Sequence, residues 1–89
     1  MRIKKDYVLR QVAQTWVVLP LAEETVNFSG MLKLNDSGAK LWKALEQGTD
    51  AHGLARVLMA EYTVSGEEAL ADAEAFLQKL IRAGCVDEI

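Results

Sequence analysis

The stretch that decides the fold runs Gly30-Met31-Leu32-Lys33-Leu34-Asn35-Asp36-Ser37-Gly38-Ala39-Lys40-Leu41-Trp42. Its opening residues alternate with a period of two, with Leu32 and Leu34 on one face and Met31 and Lys33 on the other. Past Asn35 the period becomes helical. Asn35 or Asp36 is a good N-cap, and Leu41, Trp42 and Leu45 then form an apolar stripe that stops at Gly48. A strand therefore passes straight into a helix at this point, and the chain changes character across it.

Upstream, Tyr7-Val8-Leu9-Arg10-Gln11-Val12 mixes β-branched, aromatic and polar residues as a partly exposed strand does. Thr15-Trp16-Val17-Val18-Leu19 is denser in apolar residues and reads as the central strand, ended or placed at an edge by Pro20. Ala13-Gln14 joins the two, although neither residue is a strong turn former. Downstream, Thr49 or Asp50 caps a second helix with Leu54, Val57, Leu58 and Tyr62 on one stripe. Ser65-Gly66-Glu67-Glu68 fits a capping box for a third helix, whose face carries Leu70, Ala73, Leu77, Leu80 and Ile81. Gly84 closes that helix in a left-handed cap, and Val86 begins a short extended end. These signals predict strands over about 6–12, 15–20 and 30–34 and helices over about 36–47, 50–62 and 66–83. Strands followed by helices indicate an α+β fold, a three-stranded antiparallel β-meander with three α-helices packed on one side. Such a sheet keeps an outer strand available unless something covers it.

At 89 residues the chain has room for one domain over 1–89. With 51% hydrophobic and 26% charged residues it reads as globular. The formal charge of -3 argues against nucleic acid as a partner, since such affinity rests on neutralising phosphates. One Cys85 forms no internal disulfide, and with one His52 it makes no protein-only zinc site. The longest apolar stretch, Trp16 to Ala22, is broken by Pro20 and is too short to span a bilayer. The start, Met1-Arg2-Ile3-Lys4-Lys5-Asp6, lacks the apolar segment of a secretory signal, so a cytoplasmic location is expected.

Few residues invite chemistry. His52 stands beside Asp50, but no nucleophile motif converges on the pair, and a solvated helix-start histidine is the better reading. Cys85 follows a helix C-terminus, the wrong field for a reactive thiolate, and reads as structural. Trp16 and Trp42 lack the basic groove of a base-stacking platform; Trp42 reads as the anchor of its helix to the sheet. Glu67 and Glu68 suit the start of the third helix. Asp72 stands beyond that first turn, on the flank shared with Ala69, Phe76 and Lys79. A helical projection puts Phe76 about 90–100° from the core-facing centre, which leaves it as core rim or as the wall of an apolar groove beside the third strand.

The quoted stretch resembles the L-N-x-[ST]-G-A-x-[IL]-W signature of PqqD-like proteins, the precursor-peptide recognition elements of ribosomally synthesised, post-translationally modified peptides. Tyr7 to Val12 resembles their opening strand, and Glu68-Ala69-x-x-Asp72-x-x-x-Phe76-Leu77-x-x-Leu80-x-x-x-Gly84 resembles their last helix. The resemblance implies a winged-helix-like domain without catalytic residues or cofactor. It further implies binding of a precursor's leader segment as a strand added to the third strand, in the cleft against the third helix. A modifying enzyme, often a radical S-adenosylmethionine maturase, would receive the peptide. An edge offers backbone hydrogen bonds to any extended peptide, and side-chain pockets must supply specificity.

The expected peptide-binding residues are Met31, Leu32, Lys33 and Leu34 on the strand, with Ala69, Asp72, Ala73, Phe76, Lys79 and Leu80 on the helix. Apolar leader residues would pack on Phe76 and Met31, and Asp72 and Lys79 would select charge. A DNA-binding winged-helix regulator is the main rival, but its reading helix would be basic and this one opens acidic. An uncovered edge also admits a homodimer joined strand to strand.

Overall fold

A computed structural model describes residues 1–5, 7–20 and 32–87. Its elements run β1 (Arg2–Ile3), β2 (Tyr7–Val12), β3 (Thr15–Pro20), β4 (Leu32–Leu34), α1 (Asp36–Gln47), α2 (Ala51–Glu61), α3 (Gly66–Ala83) and β5 (Val86–Asp87). Three antiparallel strands in the order β2-β3-β4 followed by three helices make the α+β fold that the sequence predicts. Met31, and with it the expected start of the third strand, lies outside the described residues.

Register follows the alternation of the sequence. Leu9 pairs with Val18 and Gln11 with Trp16, while β4 sets Leu32 against Val18 and Leu34 against Trp16. The face carrying Tyr7, Val18 and Leu34 is buried against Leu41, Trp42 and Leu45 of α1, Leu54 and Leu58 of α2, and Leu77 and Leu80 of α3. Trp42 is fully buried, so it does anchor its helix to this core. The β2–β3 turn is the two residues Ala13-Gln14, and Ala13 takes a positive φ of 57°. A positive φ at the first central position alone is the type II′ pattern, where glycine is favoured.

Each helix is punctuated where the sequence places its signals. Asn35 caps α1 by accepting from the Gly38 N–H at 2.8 Å, and Asp50 caps α2 by accepting from the Gly53 N–H at 2.9 Å. At α3 the Ser65 hydroxyl accepts from the Glu68 N–H at 3.1 Å. The return half of the box differs from the expected one. The Glu68 carboxylate takes the Ser65 hydroxyl proton, at 3.2 Å, rather than the Ser65 backbone N–H. At the far end Gly84 adopts the left-handed conformation, with Gly84 N–H on Ile81 O and Cys85 N–H on Leu80 O. That pair of bonds is a Schellman closure.

One feature of the fold has no counterpart in the sequence reading. β1 pairs antiparallel with β5, Ile3 against Val86, and Lys4 N–H donates to Cys85 O at 2.9 Å. Thr49 N–H donates to Met1 O at 2.9 Å, so the start of the chain is tied both to the end of α3 and to the α1–α2 connection. Two-residue strands carry no periodicity to read. Among the described residues, no helix is long and apolar enough to cross a membrane.

Candidate functional site

β4 lies at the edge of the three-stranded sheet and, among the described residues, pairs only with β3. Because alternate residues of an antiparallel strand aim their N–H and C=O groups to opposite sides, this edge presents either Lys33 or the Leu32 and Leu34 pair outward. Beside the edge runs a groove of about 530 Å³ between β4 and α3. Lys33 and Leu34 form its strand side, Asn35, Ser37 and Gly38 its turn into α1, and Asp72, Phe76 and Lys79 its α3 side. Leu41 and Leu58 complete it from α1 and α2.

The α3 wall follows from helical spacing. Asp72, Phe76 and Lys79 fall at i, i+4 and i+7, which aligns them on one face. Phe76 resolves its two possible fates by serving both: half-buried, it packs on the core and also lines the groove. Asp72 and Lys79 are exposed, as is Lys33 across from them. Leu34 at 6% exposure and Leu58 at 6% supply an apolar base. The site is thus a largely polar groove over an apolar base, with two cations and one carboxylate at its rim.

Gly38 shapes the end where β4 turns into α1. A Cβ there would lie 3.1 Å from Asn35 Oδ1, 3.3 Å from Leu34 Cβ and 3.4 Å from Phe76 Cε1. The missing side chain lets the cap, the strand and the aromatic ring meet. The sheet side of the junction is braced as well. Trp16 Nε1 donates to Asp36 Oδ1 at 3.2 Å, and Lys43 Nζ lies 4.7 Å from the centre of the Trp16 ring.

Not every expected site residue reaches the groove. Lys33, Leu34, Asp72, Phe76 and Lys79 come together along it. Ala69, Ala73 and Leu80 instead are completely buried in the core. They sit on the inward stripe of α3, so they support the wall from behind rather than face a ligand. Leu32 packs against the core and is not among the lining side chains. Asn35, Ser37, Gly38, Leu41 and Leu58 line the groove without having been singled out for it. The first three belong to the very stretch that decides the fold; the two leucines look like ordinary core residues in a helical stripe.

The other candidates stand apart. His52 is exposed on α2, away from the groove. Cys85 is buried, and burial pushes its thiol up to about 11, with a smaller opposing pull from Lys4. A larger cavity of about 700 Å³ lies between Met1, Arg2 and the start of α2. Two of its polar side chains are engaged in structure: Arg2 donates to Gln47 O at 3.3 Å and Asp50 holds the helix cap.

Residues 15–86 match the family model of coenzyme PQQ synthesis protein D, PqqD. The chain belongs to the PqqD family. Two solved structures are similar to it. One, "TbiB1 in Complex with the TbiA(beta) Leader Peptide", aligns with a TM-score of 0.78 at 24% identity, over 100% of this chain and 98% of that one. The other, a lasso peptide synthetase B1 complexed with the leader peptide, aligns with a TM-score of 0.74 at 24% identity, over 94% and 93%. No curated protein matches the sequence. At this identity the likeness shows a shared fold across essentially the whole length of each chain.

Proposed function

We propose that this protein is a non-catalytic peptide-binding module that captures the leader segment of a ribosomally made precursor and presents it to a modifying enzyme. The observation that carries the reading is the edge strand β4 lying beside a groove with an apolar base and Phe76 in its wall. Strand addition supplies main-chain hydrogen bonds, and the groove supplies side-chain selection. Two relatives of the same fold, each in complex with a leader peptide, support it. Membership of the PqqD family points the same way.

In this reading Lys33 and Leu34 flank the added strand, and Phe76 receives an apolar leader side chain. Asp72 and Lys79 select charge at the rim. The module itself contributes neither a reacting group nor a cofactor; its work is to hold an extended peptide where an enzyme, such as a radical S-adenosylmethionine maturase, can reach it. It acts in the cytoplasm, where the precursor leaves the ribosome. Ordering a flexible leader costs roughly 2–5 kcal/mol, which sets the expected affinity at about micromolar.

The test is a fluorescence-anisotropy titration of labelled candidate leader peptides, drawn from any short precursor gene found to neighbour this one. Phe76→Ala and Asp72→Lys should each weaken binding by about tenfold or more while the fold persists by circular dichroism. Unchanged affinity in both variants contradicts the groove as the binding site.

A further inference from the structure

The groove does not end at Asp72. A second, smaller pocket of about 200 Å³ is lined by Ser37, Leu58, Tyr62, Val64 and Asp72. Ser37, Leu58 and Asp72 belong to both spaces, so the two are continuous around the start of α1. We propose that this second pocket is an apolar subsite of the same peptide, taking one large apolar side chain a few positions from the one that packs on Phe76. This rests on the leader-binding reading given above.

The walls of the pocket are held in place. α2 ends as Tyr62 turns to extended backbone, its N–H bonded to Leu58 O at 2.8 Å. Val64 N–H then donates to Tyr62 O at 3.1 Å, which fixes the short link into α3. Lys40 of α1 bonds Glu61 Oε2 at 3.2 Å and holds its ammonium 5.0 Å from the centre of the Tyr62 ring. Those contacts place the ring as a standing wall, although Tyr62 is 36% exposed. Met59, one turn earlier on α2, is 49% exposed. Tyr62 is a large side chain left partly uncovered where the pocket opens.

The occupant follows from continuity and length. An extended peptide lying along α3 from Lys79 toward its first turn covers roughly 20 Å, since a helix rises about 1.5 Å per residue. Extended chain advances about 3.3 Å per residue, so about six residues bridge that distance. A leader whose apolar residue packs on Phe76 thus brings a later or earlier one, a few positions away, over Tyr62 and Val64. A second anchor of this kind adds selectivity beyond what an edge strand provides, because backbone pairing is indifferent to sequence.

The test uses a displayed library of randomised twelve-residue peptides selected on the full chain. The strongest binder is then synthesised with a fluorescent label and titrated against wild type, Phe76→Ala, Val64→Asp and Tyr62→Ser. The proposal expects at least tenfold weaker binding for Val64→Asp and severalfold for Tyr62→Ser. It also expects one apolar peptide position whose alanine replacement weakens wild type but adds nothing to the Val64→Asp loss. Tyr62→Ser, at a half-open position, guards against a Val64 variant that fails to fold. Binding that is lost in Phe76→Ala but stays within twofold in both pocket variants overturns the subsite and leaves the leader-binding reading standing. Binding indifferent to Phe76→Ala as well overturns both.

Discussion

Gly38→Ala sets two effects of similar size against each other at the turn between β4 and α1. Gly38 is the third residue of the helix after its Asn35 cap. Alanine in place of glycine within a helix gains up to about 1 kcal/mol. Against that, the new methyl carbon would sit 3.1 Å from Asn35 Oδ1 and 3.3 Å from Leu34 Cβ. Both neighbours are held: Asn35 by the 2.8 Å cap bond and Leu34 by its pairing with Trp16. Moving Asn35 by a few tenths of an ångström strains a cap worth about 1 kcal/mol. The net result is a protein between unchanged and about 1 kcal/mol less stable, which lowers Tm by at most about 8 °C for a domain of this size. Thermal denaturation followed by far-ultraviolet circular dichroism reads this directly. A Tm raised by about 4 °C or more would show that the turn is not tight and that Gly38 is merely an unfavourable helix residue.

Ala13→Gly should act in the opposite sense, because Ala13 holds a φ of 57° that costs an L-residue about 1 kcal/mol and glycine little. Part of that gain is offset by the greater freedom of glycine in the unfolded chain, so a Tm increase of a few degrees is expected. Cys85 gives a pH dependence. Its thiol is raised from 9.0 to about 11, so the folded state keeps the proton that the unfolded state releases. Its contribution is whole below pH 9 and fades as pH rises toward 11, by at most about 3 kcal/mol. Urea denaturation across that range, with Cys85→Ala as the variant that loses this component, checks the sign. Trp42→Phe tests a buried donor, since Trp42 Nε1 has no hydrogen-bond partner among the described residues. Removing it relieves roughly 1–3 kcal/mol, while the space left behind costs about 1–2 kcal/mol. Stability by urea denaturation should therefore fall between about 1 kcal/mol below and about 2 kcal/mol above wild type.

The parts of the fold legible in the sequence are those with a local cause. Asn35, Asp50 and Ser65 cap helices because their side chains reach backbone N–H groups three residues on, a relation visible in the order of residues alone. The alternation of Leu32, Lys33 and Leu34 sets the strand faces in the same way. The β1–β5 pairing escapes such a reading because its two short strands lie at opposite ends of the chain. For the groove, Asp72, Phe76 and Lys79 are legible from helical spacing. Ala69 reads as part of the flank of Asp72 and Phe76, and Ala73 and Leu80 as part of the apolar stripe beside it, yet all three are buried in the core. Leu58 shows the converse limit. Its position on the α2 stripe marks it as core, and only the approach of α2 to α1 and α3 brings it to the groove as well.

The central claim is that the outer edge of β4 accepts a guest strand. Amide hydrogen exchange of Leu32, Lys33 and Leu34, followed by nuclear magnetic resonance with and without the precursor peptide, measures it most directly. The account predicts that the outward-facing amides of β4, either that of Lys33 or those of Leu32 and Leu34, become strongly protected when the peptide binds. Peptide binding at full strength with the exchange of all three amides unchanged would contradict it.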